Sequence, residues 1–116
     1  MGNTEIRRFT KEDWYGWAGA TQFSNGSEPF MYTKDMSDGL VELCVIADRN
    51  GISINMIADD DLDIIGWLKL MDLTPIKAEG ELRALVKVLD SYTYAPDLSY
   101  AIDHESDKVF EGFKEF

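Results

Sequence analysis

Asn50-Gly51, set between two apolar runs, narrows the folding options of this chain more than any other feature. Residues 40–48 read Leu-Val-Glu-Leu-Cys-Val-Ile-Ala-Asp, and residues 52–58 read Ile-Ser-Ile-Asn-Met-Ile-Ala. An Asn-Gly pair between such runs marks a two-residue hairpin, because a type I′ turn needs positive φ at both central residues. With Asn50 and Gly51 at the centre, Arg49 pairs with Ile52, Ala47 with Ile54, Val45 with Met56 and Leu43 with Ala58. Those pairs share an almost wholly apolar face with Val41. The other face, with Asp48–Ser53, Ile46–Asn55, Cys44–Ile57 and Glu42–Asp59, is mixed. One apolar face and one mixed face is the pattern of a half-buried antiparallel sheet.

The flanking sequence extends this hairpin into an α+β domain. Pro29–Thr33 reads as a further strand between the turn-rich segments 24–27 and 36–39, and Glu5–Phe9 as a fourth. The expectation is a three- to four-stranded antiparallel meander packed against two to four helices. Thr10 and Asp13 have the spacing of a capping box and open a helix over Lys11–Ala20, weakened by Gly16 and Gly19. Residues 62–71 fit a short amphipathic helix through Leu62, Ile65, Leu68 and Met71, with Asp59–Asp61 at its positive end; a strand is the alternative. Thr74-Pro75 starts a helix whose stripe is Leu82, Leu85, Val86 and Leu89. A Pro-containing loop is expected at Tyr94–Asp97, then a last helix capped by Ser106.

A length of 116 residues suits a single domain over 1–116, large enough to build a core without disulfide or metal staples. One cysteine rules out an internal disulfide framework. The N-terminal residues have no apolar segment of the secretory kind, and no run reaches the length of a membrane span. A cytoplasmic location is the expectation. With 11 Lys and Arg against 22 Asp and Glu, the net charge of -11 repels nucleic acid and anionic lipid, so neither is an expected direct partner. The acidity serves either solubility alone or attraction of a basic protein.

Sets of residues for catalysis are missing from the sequence. The single histidine, His104, has no nucleophile elbow to serve, and Cys44 lies inside a strand among Val and Leu, where an inert buried thiol is expected. Two Cys and His residues in all do not make a zinc site. Asp61–Asp72 has the frame of a calcium loop, with acids at positions one, three and twelve and glycine at six. It places Ile65 where an oxygen ligand belongs and Asp72 where a bidentate Glu does. No metal or cofactor is expected, and no enzyme activity. Asn25-Gly26-Ser27 reads as an ordinary turn.

Two clusters suit binding. Trp14, Tyr15 and Trp17 put three large aromatics in four residues, too many for one face of a helix. Trp14 and Trp17 suit a cover over the hairpin, and Tyr15 is the better candidate for exposure. Asp59, Asp60, Asp61 and Asp63 repel one another unless water, helix amides or a basic partner offset them. In size, acidity and lack of catalytic motifs the chain resembles two loose classes. One is the phage or mobile-element proteins that block host defence enzymes, often by imitating DNA charge. The other is the immunity proteins that neutralise a toxin. The expected function is that of a small acidic inhibitor or antagonist of a basic, nucleic-acid-handling protein, with the two clusters at the contact. A toxin-neutralising immunity protein is one alternative; a structural module or adaptor acting as a homo-oligomer, such as a homodimer through the open sheet face, is another.

Overall fold

The computed structural model describes residues 6–16, 19–37, 41–59, 61–70 and 73–104, apart from the side chains of 14–16. Their order is β1 (Arg7–Arg8), α1 (Lys11–Gly16), β2 (Phe30–Asp35), β3 (Val41–Asp48), β4 (Gly51–Ala58), β5 (Asp61–Lys69), α2 (Pro75–Leu89) and α3 (Ala95–His104). The five strands form one antiparallel meander, β1-β2-β3-β4-β5. The α+β class is as expected, with one strand more than the three to four anticipated.

That strand is β5, where the helical reading of 62–71 fails. Along β5, Leu68 opposes Ile52 and Gly66 opposes Ile54, while Trp67 opposes Ser53, Ile64 opposes Asn55 and Leu62 opposes Ile57. A shift of register between Ile54 and Asn55 leaves Ile65 as the extra residue of a bulge. Leu62 and Leu68, meant to share a helical stripe, therefore lie on opposite faces. The gain is a complete β-ladder along β4, which no isolated three-turn helix supplies. Asp59 is the turn residue before β5, at φ 54°, a conformation that aspartate tolerates better than most residues. Asp59 thus turns a hairpin and Asp61 opens a strand, and neither caps a helix.

The central hairpin forms two residues away from the expected register. Asp48 pairs with Gly51, Ala47 with Ile52, Val45 with Ile54 and Leu43 with Met56. Arg49 and Asn50 are the central residues; neither has positive φ, and the positive value, 140°, belongs to Gly51. The reason lies at Asp48, whose carboxylate accepts the Asn50 N–H at 2.8 Å and the Thr21 N–H at 3.2 Å, closing the turn locally. A shift of two is even, so every side chain keeps the face predicted for it.

On one face, Phe30, Tyr32, Leu43, Val45, Ala47, Ile52, Ile54 and Leu68 meet Leu82, Leu85, Val86 and Leu89 of α2 and Leu98 and Ala101 of α3 in the main core. Thr74 caps α2, its hydroxyl accepting the Lys77 N–H at 3.4 Å, with Pro75 in the first turn. Lys34 Nζ donates to the Asp90 and Tyr92 carbonyls at 3.2 and 3.1 Å, and Tyr32 Oη donates to Asp90 Oδ1 at 2.8 Å. A cation at the carbonyl end of α2 opposes the helix dipole and fixes that end to β2. The expected loop at Tyr94–Asp97 is instead the start of α3, since proline fits a first helical turn, where its missing N–H has no acceptor to lose. The helix expected from Ser106 lies outside the described residues. No helix among those described is long and apolar enough to cross a membrane.

Candidate functional site

The opposite face of the sheet carries a second, smaller cluster of Phe9, Met31, Cys44 and Ile46. Register places Arg7, Met31, Ile46, Ser53 and Trp67 in one row across all five strands, and Thr33, Cys44, Asn55 and Ile64 in the next. At the β1 end α1 stands beside this face, and a cavity of about 290 Å³ between them is lined by Glu12 and Asp13 of α1 and by Arg7, Thr33, Glu42 and Cys44 of the sheet, among others. Asp13 Oδ2 accepts the Thr10 N–H at 2.7 Å and Thr10 Oγ1 accepts the Asp13 N–H at 3.4 Å, which is the expected capping box. Arg7 donates to both Asp13 oxygens, at 2.6 and 3.0 Å. These hydrogen bonds hold the Asp13 carboxyl down at about 2, against the opposing effect of burial.

A carboxyl lowered in the folded state stabilises the fold above its ordinary pKa and loses that contribution as pH falls. Arg7→Ala is accordingly expected to lower stability by a constant amount above the usual carboxylate range. The difference from wild type should shrink as pH falls toward about 2, as read by urea unfolding over an acid series.

Cys44 is fully buried in this cluster, and burial, with Glu42 and Asp13 nearby, pushes its thiol up to about 12. The buried thiol expected from sequence is the one found. His104 ends α3 on the other side of the sheet, its ring 4.5 Å from that of Tyr100, so it is no partner for Cys44. In the native protein Cys44 is expected to resist a disulfide reagent near pH 8 and to react fully once urea unfolds the chain. Full reaction in the native state, at the rate of a free thiol, would show this face to be open.

At the β5 end the same face is exposed. Leu62, Ile64 and Trp67 are 40%, 60% and 49% exposed, and β5 has no neighbouring strand on its far side among the described residues. Asp61 and Asp63, also exposed, alternate with them and point to the other face, opposite Ala58 and Met56. Asp59 is exposed at the adjoining turn. β5 is therefore an edge strand with an acidic row on one side and an apolar row on the other. Asp60 and Trp17 lie outside the described residues. Trp14 and Tyr15 belong to α1, and their side chains lie outside them too.

Comparison with protein-family models, with curated proteins and with solved structures gave no match. The site is read from its own chemistry. Among the described residues, no three His, Cys, Asp or Glu side chains converge on a point where a metal ion would sit. Asp61 and Asp63 stand on an extended strand, whereas a calcium loop must curl its oxygens round the ion.

A cavity of about 60 Å³ lies between the sheet and Gly19-Ala20, with Ile46, Asp48, Ser53, Asn55, Ile64 and Trp67 making the rest of its lining. Asn55 is fully buried. Its Nδ2 donates to the Cys44 carbonyl and to Ser53 Oγ, both at 3.1 Å, and its Oδ1 is buried without a hydrogen-bond partner. An unmatched buried amide oxygen costs about 1–3 kcal/mol. Sequence reasoning placed Asn55 on the mixed face and gave it no role. Leu62, Ile64 and Trp67 were assigned to a helix. Their signal was a period of two on each side of Ile65-Gly66, broken by the bulge.

Proposed function

We propose that this chain is an acidic protein-binding domain, an inhibitor or antagonist acting in the cytoplasm on a protein with a basic, nucleic-acid-handling surface. β5 and the β4–β5 turn make the contact. One observation carries the reading: a single edge strand presents Asp61 and Asp63 on one side and Leu62, Ile64 and Trp67 on the other, all exposed. An edge strand offers unpaired backbone groups to an added strand, and its alternating side chains select what that strand carries. The complementary strand has basic residues toward the aspartates and apolar residues toward Trp67. The net charge of -11 draws such a partner in and turns nucleic acid away.

Affinity for the captured partner is expected to fall at least about tenfold between low and high salt, because exposed charges are screened over a Debye length. Affinity unchanged by salt would remove charge imitation from the proposal. The exposed apolar row on β5 also favours a second reading, self-association through this edge. Sedimentation at two concentrations separates them, a concentration-dependent dimer pointing to assembly.

A further inference from the structure

We propose that the cavity between α1 and the sheet binds a short aliphatic diamine, with Glu42 taking one ammonium group and Glu12 the other. The site is separate from β5, at the opposite end of the same sheet face, and does not depend on the reading of that edge.

The groups enclose one space. Arg7 opposes Met31, Thr33 opposes Cys44, and Glu42, two residues before Cys44 on β3 and so on the same face, opposes Ile57. These neighbours make the floor and one wall, and Glu12 and Asp13 of α1 complete the lining among the described residues. Electrostatics agrees with the register. The Arg7 guanidinium is raised by its hydrogen bond to Asp13 and further by Glu42. The Cys44 thiol, raised first by burial, responds to Glu42, Asp13 and Arg7 together. The mouth is open, since Arg7, Glu12 and Thr33 are exposed and Glu42 and Ile57 are half-buried.

Charge and shape select the ligand. Arg7 donates to both Asp13 oxygens, so that pair is closed on itself. Glu12 and Glu42 remain, and neither has a salt bridge among the described residues. Glu12 is held below the ordinary carboxylate range by its own N–H and the Thr10 hydroxyl, so it stays ionised. The described lining thus carries a carboxylate on each wall that no cation within it offsets, which matches the two charges of a diamine. Between them lie Met31, Cys44 and Ile57, against which a methylene chain packs. A volume of about 290 Å³ is at the lower end of small-ligand pockets, roughly 300–1,000 Å³, and suits a short chain. A dication bound at one end also holds its other end at high effective concentration beside the second carboxylate.

Binding is read by nuclear magnetic resonance from the methyl groups of Met31 and Ile57 and the Thr33 amide. The probes are the terminal diamines of propane, butane and pentane, with butylamine as the control of single charge. One diamine length is expected to bind best, with a dissociation constant on the order of millimolar, and butylamine at least about tenfold more weakly. Glu42→Gln should bring the best diamine down to the level of butylamine. Glu28→Gln, at an exposed carboxylate outside the cavity, should change it less than about twofold. Glu12→Gln, at the exposed mouth, makes the same comparison should Glu42→Gln fail to fold. Equal binding of diamines and butylamine, equal effects of Glu42→Gln and Glu28→Gln, or shifts that do not saturate would overturn the proposal and reduce the cavity to part of a general acidic field. A β5 edge that proves to bind nothing leaves each of these outcomes standing, so the two readings fail separately.

Discussion

Gly51→Ala is expected to remove more than about 4 kcal/mol of stability, a large share of the total of about 5–15 kcal/mol that a domain of this kind has. Two causes act together. Gly51 holds φ at 140°, which an L-residue with a side chain rarely adopts. A Cβ there would also fall far inside the van der Waals contact distance to the Leu68 carbonyl oxygen, with Leu70 N and Lys69 Cα both 3.0 Å away. These are backbone atoms of the edge strand, so relief means moving β5. Gly26→Ala is the control, since Gly26 has φ 86° but nothing within 4 Å of the added carbon. It should cost only about 1–2 kcal/mol, the strain of the left-handed conformation alone. Urea unfolding monitored by circular dichroism reads both, and a Gly51→Ala protein as stable as wild type would mean that β5 does not pack against this turn.

Leu85→Ala should be the next most damaging change, at about 2–5 kcal/mol, the usual cost of emptying a fully buried leucine site. Leu85 is fully buried on the stripe that α2 lays against β3, whereas Ile76, the second residue of the same helix, is 89% exposed. Ile76→Ala should stay within about 0.5 kcal/mol of wild type. The contrast measures the orientation of the helix directly by urea unfolding. Equal losses at the two positions would mean that the helix packs by another face.

Local chemistry explains which parts of the fold were legible in the sequence. The faces of the β3–β4 hairpin followed from alternation, and the start of α2 from Thr74-Pro75. Register does not follow, because an Asn-Gly pair signals a turn centred on itself, while the Asp48 carboxylate bonds to the Asn50 N–H and moves the centre to Arg49-Asn50. β5 was half legible. Its apolar residues fit helical and strand periods equally until the bulge at Ile65 is known, and the open edge of β4 decides between them. The first turn of α3 is hidden because a proline signals a loop as readily as a helix start, and Pro96 stands where a helix accepts one.

The candidate site was legible in its charge and not in its apolar half. The cluster of four carboxylates within five residues is visible in the sequence, and Asp59, Asp61 and Asp63 are exposed. Their relation to Leu62, Ile64 and Trp67 is set by which face each takes on an edge strand, and so waits on knowing that the segment is one. The unmatched Asn55 oxygen is further from view still. It exists because Cys44 and Ser53 claim the other end of the amide, a matter of tertiary geometry that spacing does not encode.

The claim that β5 is the contact surface is tested most directly by comparing two double charge reversals in partner affinity at one salt concentration. Asp61→Lys with Asp63→Lys changes the edge strand. Glu28→Lys with Asp35→Lys makes the same change in net charge at exposed positions, Glu28 just before β2 and Asp35 at its end. The first pair is expected to weaken binding more than about tenfold and the second less than about threefold, since contact charges act on the complex and distant ones mainly on encounter. Equal losses from the two pairs would contradict the assignment and reduce the acidity to a general field.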